Sequence, residues 1–373
     1  MYANITSTMN NSSFNNTSTL SSTPSQQPLW NFSTSTQSST LSSLSSAPPS
    51  SDVVVSPNVP YMAAELVIAI LSTVGNLLVC AAVGLNRKLR TVTNYFLVSL
   101  AVADICVGAL AIPCAILTGV GVPRHDLYLC LLMLSVLIML TQSSIFSLLA
   151  VAVERYVAIF MPFRYHTLMT PRNAVLVILV TWVLAFLIGL VPLMGWHKTP
   201  PESGYCFFVL VVDMTYMVYF NFFACVLAPL VVMFLIYAQI FLTVKRQMRR
   251  IATERRVGGA GVAEGQAARA ANMKKELKTA TSLFLVLFLF TACWIPLHVI
   301  NCFLLLCPRC PVPLELLLTA IILSHANSAV NPFLYAYKMK VFRESFKAIF
   351  LCCRTMGDGQ EGPSCDGGGA ARG

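Results

Sequence analysis

The sequence predicts an all-α membrane protein: a seven-transmembrane helix bundle followed by a short amphipathic cytoplasmic helix. Three observations carry this. Seven long apolar runs, at about 60–85, 94–119, 127–161, 173–195, 213–240, 277–306 and 313–337, hold few ionisable residues. A hydrocarbon core about 30 Å thick takes roughly 20 apolar residues per helical crossing, so each run is long enough. The composition is 56% hydrophobic and 11% charged over 373 residues, with mean hydropathy +0.71. A soluble chain of that length needs more polar residues to cover its surface. Lys and Arg, finally, are concentrated in alternate loops. Each run must be helical, because lipid leaves a lone segment no other way to satisfy its backbone N–H and C=O groups.

Residues 1–59 form the first region, dominated by Ser, Thr, Asn and Pro. Such a segment buries too little apolar surface to offset its ordering entropy, so disorder is expected. N-x-S/T sequons stand at Asn4, Asn10, Asn11, Asn15, Asn16 and Asn31, some overlapping, and mark candidate glycosylation sites. No cleavable signal peptide is visible at Met1, so the first apolar run is expected to direct insertion.

Topology follows from the loops. Up to residue 60 there is no Lys or Arg, and Asp52 is the sole charge. Arg87, Lys88 and Arg90 follow the first run; Arg155, at the inner end of the third, is followed by Arg164 and Arg172 in the loop after it. A larger basic group, Lys245 to Lys275, separates the fifth from the sixth. The intervening loops offer only Arg124, Lys198 and Arg309. The positive-inside rule then places the N-terminus outside and the C-terminus in the cytoplasm. The net charge of +10 reads as topology plus attraction to an anionic inner leaflet, not as a nucleic-acid surface. The bundle is expected over 60–338, the amphipathic helix over 339–353, and a disordered Gly-rich tail over 354–373.

Most of the 13 cysteines fall inside apolar runs, where they read as small buried hydrophobes. Cys130 opens the third run and Cys206 precedes the fifth, both on the outer side. A bridge between them would tie a loop across the bundle in an oxidising compartment. Cys307 and Cys310 flank Pro308-Arg309, close enough for a short ring. A C-x-x-C also binds metal or shuttles redox equivalents, but no second pair completes a zinc site. Two disulfides are expected.

The third run ends in Glu154-Arg155-Tyr156, and the seventh in Asn331-Pro332-Phe333-Leu334-Tyr335. Elsewhere stand Gly75-Asn76, Leu100-Ala101-Val102-Ala103-Asp104, Trp182, Pro229 and Cys293-Trp294-Ile295-Pro296. With this set the chain resembles a rhodopsin-like G-protein-coupled receptor over roughly residues 60–352. Four blocks narrow the resemblance: Thr141 to Ala150, Tyr216 to Phe223, Pro296 to Cys302, and Leu323 to Ser328 are similar to adenosine receptors. The implied function is a receptor for extracellular adenosine that changes cAMP through a heterotrimeric G protein, with arrestin and receptor kinases as further partners. No cofactor is implied beyond a possible sodium ion.

The residues agree with a small, neutral, planar ligand. Leu137 stands where an amine receptor of this class has an Asp, and His325 where an opsin has its Schiff-base Lys. Phe208 offers a π-face, worth about 1–3 kcal/mol per stacked base in nucleic-acid systems. Asn301 can donate and accept at once, matching the amine and N7 edge of adenine; the alternative is a helix–helix hydrogen bond in lipid. Thr141, Ser324 and His325 are expected at the ribose. Glu65, a carboxylate inside a membrane helix, needs a partner, and the resemblance implies His325, which would make affinity depend on pH. Leu297, Ile321, Met217, Trp294, His298 and Asn221 complete the expected lining, with ordinary bundle packing as the competing role of the apolar ones.

Deeper, the resemblance implies a sodium site at Asp104, Ser144, Asn327 and Asn331; a protonated Asp104 in a water network is the alternative. It implies a cytoplasmic switch at Glu154, Arg155, Tyr156, Tyr237, Glu276 and Tyr335, with Arg155 paired to Glu154 and Glu276. Cys352 and Cys353 are candidates for palmitoylation beside the amphipathic helix. Val209 stands where several family members have a Glu that contacts the adenine amine, so recognition rests more on Asn301. Coupling signals divide. The short second extracellular loop and Val209 favour an inhibitory G protein, whereas Ile240 to Gln247 looks more like the stimulatory members. The inhibitory type is the expectation. Other classes lack their signatures: no internal repeat suggests a transporter, and no catalytic triad or metal cluster suggests an enzyme.

Overall fold

The computed structural model describes residues 58–257 and 263–357. The six sequons and the tail from 358 lie outside them. Among the described residues, seven helices are long and apolar enough to cross a membrane. They are α1 (Val59–Leu85), α2 (Val92–Gly119), α3 (Leu127–Phe160), α5 (Pro171–Leu190), α7 (Tyr216–Leu227 continued by Ala228–Val257), α8 (Ala263–Leu306) and α9 (Leu314–Lys338). Three others are shorter: α4 (Pro162–Leu168), α6 (Phe208–Val211) and α10 (Lys340–Gly357).

Polar caps fix where the chain enters its helices. The side chains of Asn58, Thr91, Asp126 and Thr170 each accept a backbone N–H three residues on, opening α1, α2, α3 and α5. Prolines shape the interiors. Pro113 has no N–H for the carbonyl of Ala109, and the π-helical turn Val107–Ala111 sits there. Pro229 stands just after the wider π segment Tyr216–Leu227.

Central α3 buries 56% of its apolar window, against 17% for α5 at the periphery. Glycines allow the tightest approaches. A Cβ on Gly75 would lie 2.9 Å from the Pro332 ring, and one on Gly189 2.8 Å from Met139 Cβ. These close the α1–α9 and α5–α3 contacts. Leucines, valines and isoleucines on the outer faces, such as Leu66, Val67 and Ile70 of α1, remain exposed where lipid would meet them.

Several boundaries differ from expectation. α5 stops at Leu190 instead of 195: Val191 keeps helical dihedrals, but Pro192 has no N–H for the Ile188 carbonyl, and Gly195 with φ 118° turns the chain away. The fifth crossing begins after Asp213, whose carboxylate accepts the Thr215 N–H at 2.6 Å. α7 and α8 extend to Val257 and back to Ala263, well beyond their apolar runs, in polar sequence of good helix propensity. α10 continues to Gly357, so residues 354–357 are helical and not part of the tail. Cys352 and Cys353 fall within it. Helix α4 was not anticipated.

Candidate ligand site and switch

Both disulfides form: Cys130–Cys206, with Cα atoms 5.7 Å apart, and Cys307–Cys310, with Cα atoms 5.3 Å apart. The end of the bundle they define is called upper here. The first bridge fastens Cys206 to the top of α3, and Phe208 opens α6 two residues later. Phe208 packs with Leu137 of α3, Met217 of α7 and Leu304–Leu305 of α8 in one apolar cluster.

One turn below those leucines lies Asn301. It shares a face of α8 with Trp294, Leu297 and His298, at i, i+3, i+4 and i+7. Asn301 and His298 are 5% and 3% exposed, and Asn221 of α7 is 4% exposed. The His298 ring stacks on Phe222 at 4.6 Å, and neither ring nitrogen has a hydrogen-bond partner. The Trp294 Nε1 likewise has none. A buried polar atom left unmatched costs about 1–3 kcal/mol, so these groups point to a polar ligand between the helices.

On α9, Ile321, Ser324 and His325 share a face. His325 Nδ1 lies 2.8 Å from Glu65 Oε2, joining α9 to α1 with Glu65 fully buried and its second oxygen unpartnered. The expected partner is the observed one. Two expected ribose groups are engaged locally: Thr141 Oγ1 donates to Leu137 O at 3.0 Å, and Ser324 Oγ to Ile321 O at 2.7 Å.

Mid-bundle, the fully buried Asp104 accepts from Asn331 Nδ2 at 2.7 Å, while its Oδ1 has no hydrogen-bond partner. Ser144 Oγ donates to its own helix at Leu140 O, 3.2 Å away, and Asn327 is buried on α9. Ser328, unforeseen, is buried next to Asn327 on the same helix. Asn76 donates to Ser72 O at 2.8 Å and Ser328 O at 2.9 Å, lacing α1 to α9. An unpartnered carboxylate oxygen among hydroxyl and amide oxygens fits a small cation.

At the lower end Arg155 donates through Nε to Glu154 Oε2 at 2.6 Å and through Nη1 to Glu276 Oε2 at 3.3 Å. The α3–α8 link therefore exists. Two partners were missed. Thr93 of α2 accepts from Arg155 Nη2 at 2.8 Å, and Tyr165 of α4 donates to Glu154 Oε1 at 2.7 Å. Burial, reinforced by the Glu154 carboxylate, pushes the Tyr165 phenol up to about 12, so it stays a donor. Tyr156 instead stacks on Phe160 at 4.5 Å. Tyr237 meets Phe284 edge-on, and Tyr335 packs on Phe342 with its hydroxyl unpartnered. Phe163, on the same short helix as Tyr165, is 99% exposed, another feature the sequence reading passed over.

A family model described as 7 transmembrane receptor (rhodopsin family) matches residues 75–335. Adenosine receptor A2a of Homo sapiens is 48% identical over 305 residues, 78% of this chain and 71% of its own length. Adenosine receptor A2a of Equus caballus is 49% identical over the same shares. Adenosine receptor A2b of Homo sapiens is 46% identical over 327 residues, 81% of this chain and 95% of its own length. With this likeness spread across the bundle that carries the upper site and the lower network, the chain belongs to the adenosine receptors, within the rhodopsin family of seven-transmembrane receptors.

Proposed function

We propose that this multi-pass plasma-membrane receptor, which is not an enzyme, binds adenosine at the upper site and raises cAMP through a stimulatory G protein. The observation that carries the ligand is Asn301 buried on one face with the unpartnered His298, directly below the cluster that holds Phe208. Adenine stacked on Phe208 would present its amine and N7 to Asn301. The ribose would lie toward the Glu65–His325 pair.

Orientation follows the basic loops, with the upper end outside and the Arg155 network in the cytoplasm. Helix α8 spans both. Glu276 lies about 25 residues from Asn301, roughly 37 Å along the axis. Pro296, inside α8, has no N–H for the hydrogen-bond ladder, so the helix can bend there and let agonist contacts on one half bias the Arg155–Glu276 link on the other. Arrestin and receptor kinases are proposed as partners of the same cytoplasmic face.

For coupling, the stretch Ile240–Gln247 and relatives that are A2a and A2b receptors together outweigh the short loop and Val209. The inhibitory expectation therefore gives way to the stimulatory one. Adenosine is expected to raise cAMP in expressing cells despite pertussis toxin. A toxin-sensitive fall would restore the inhibitory reading, and no response in either direction would remove adenosine. A fully exposed Phe163 forgoes roughly 1.5–3 kcal/mol of burial, which a docked G protein would supply. Phe163→Ala should cut cAMP potency at least about tenfold with adenosine affinity of the uncoupled receptor unchanged. Equal potency would exclude this residue from the interface.

The same reading extends to sodium at Asp104, Ser144, Asn327 and Asn331. If the ion favours the inactive state, raising NaCl weakens agonist binding and spares antagonists, because linkage is reciprocal. Asp104→Asn should erase that difference. A mutant that keeps it would reduce the effect to ionic screening.

A further inference from the structure

Phe208 has only one covalent anchor, the Cys206 disulfide two residues before it. What lies after it is α6, a four-residue helix. So short a helix gains little from its own hydrogen bonds, and its terminal carbonyls need outside donors. Two of them find one residue. Lys198 gives its Nζ to Val209 O at 2.8 Å and its backbone N–H to Val211 O, also at 2.8 Å. Its neighbour His197 pairs with Val212 in an isolated antiparallel bridge, which sets the register of the two segments. His197 Nδ1 also lies 2.7 Å from Lys198 O.

A second tier holds the lysine. Asp213 acts on the Lys198 ammonium electrostatically, opposing the burial that pulls its pKa down. Asp213 itself is braced by Thr215, whose N–H and Oγ1 donate to Oδ1 at 2.6 Å and 2.5 Å. Trp196 Nε1 reaches Thr215 Oγ1 at 3.3 Å, closing the chain of contacts back to the lysine's own strand. The hydrogen bond of the ammonium goes to the backbone of α6, at Val209 O, while Asp213 acts on it through charge alone.

We infer that Lys198 is a positioning residue for the ligand: by capping α6 through Val209 and Val211 it holds the Phe208 ring in place from the side opposite the disulfide. This rests on adenosine stacking on Phe208, and the test separates the two. The full-length purified receptor and its Lys198→Met and Lys198→Arg variants are compared by hydrogen–deuterium exchange without ligand, then by dissociation of radiolabelled adenosine. Methionine keeps the apolar stem and removes the charged donor; arginine keeps a donor.

In Lys198→Met the amides of residues 207–213 are expected to exchange about tenfold faster, equivalent to about 1.4 kcal/mol of local opening. Adenosine should leave about tenfold faster as well, and Lys198→Arg should recover most of both. Those of α8 and α9 should exchange as before. Unchanged exchange at 207–213 overturns the inference, and so does faster exchange with unchanged adenosine dissociation. A wild-type receptor that binds no adenosine would instead refute the ligand assignment, and the exchange comparison would then decide alone whether Lys198 holds α6.

Discussion

Asn301→Ala is expected to abolish high-affinity adenosine binding. The side chain is 5% exposed on α8, below the Phe208 cluster and on the same face as His298. Its amide can meet two adenine atoms at once, and truncation leaves both unpaired in a site closed to water. That costs at least about 1–3 kcal/mol, roughly a 5- to 150-fold loss in affinity, and a bidentate contact falls at the upper end. The competing role, a hydrogen bond between helices, would lower surface expression and affect every ligand alike. Saturation binding with an antagonist that does not use the adenine amine separates the two. Adenosine affinity unchanged in Asn301→Ala would remove the assignment.

The bundle itself was legible because lipid makes one demand on every crossing. A run of about 20 apolar residues needs no correct period or partner to be recognised. The site was legible in a different way. Asn301 and His298 are unremarkable one at a time, and the pattern of blocks on four helices carried them; Phe208 lies outside those blocks and was singled out two residues after Cys206. What stayed hidden depends on chain geometry that no local pattern encodes. Tyr165 reaches Glu154 only because Pro162 starts a helix directly after α3 turns. Thr93 joins Arg155 because α2 packs beside α3 at their lower ends. Lys198 looked like one stray charge on an outer loop; its role appears only once the His197–Val212 bridge folds that loop onto α6. The misplaced end of α5 had a visible signal in Pro192, outweighed by apolar residues that continue past it.

The proposed coupling departs from the inhibitory expectation for a related reason. Val209 and the short outer loop concern the ligand's surroundings, about a membrane's thickness from the G-protein surface. Ile240–Gln247, by contrast, sits on the half of α7 that leads toward that surface in the proposed orientation. Residues bear most on the partner they can touch. Phe163 belongs to the same argument, since a bare phenylalanine ring on the helix that carries Tyr165 is expected to be covered by something.

Glu65→Leu should reduce adenosine affinity about 100-fold or more and lower surface expression. The carboxylate is fully buried in α1 and meets His325 Nδ1 at 2.8 Å, so removing it strands a buried imidazole. Breaking such a pair by deleting one partner costs about 3–5 kcal/mol, whereas replacing both with apolar groups is often nearly neutral. The double variant Glu65→Leu/His325→Leu is therefore expected to regain expression. It should not regain adenosine binding, because both polar groups proposed to face the ribose would still be missing. Glu65→Gln keeps an acceptor for the histidine and should fold normally, with a loss nearer tenfold that reports the charge. The measurement is surface antagonist binding for expression and adenosine competition for affinity, across all four variants including His325→Leu. If the double variant recovered adenosine affinity together with expression, the pair would be a staple between α1 and α9, and the ribose would have to be held by Thr141 and Ser324 alone.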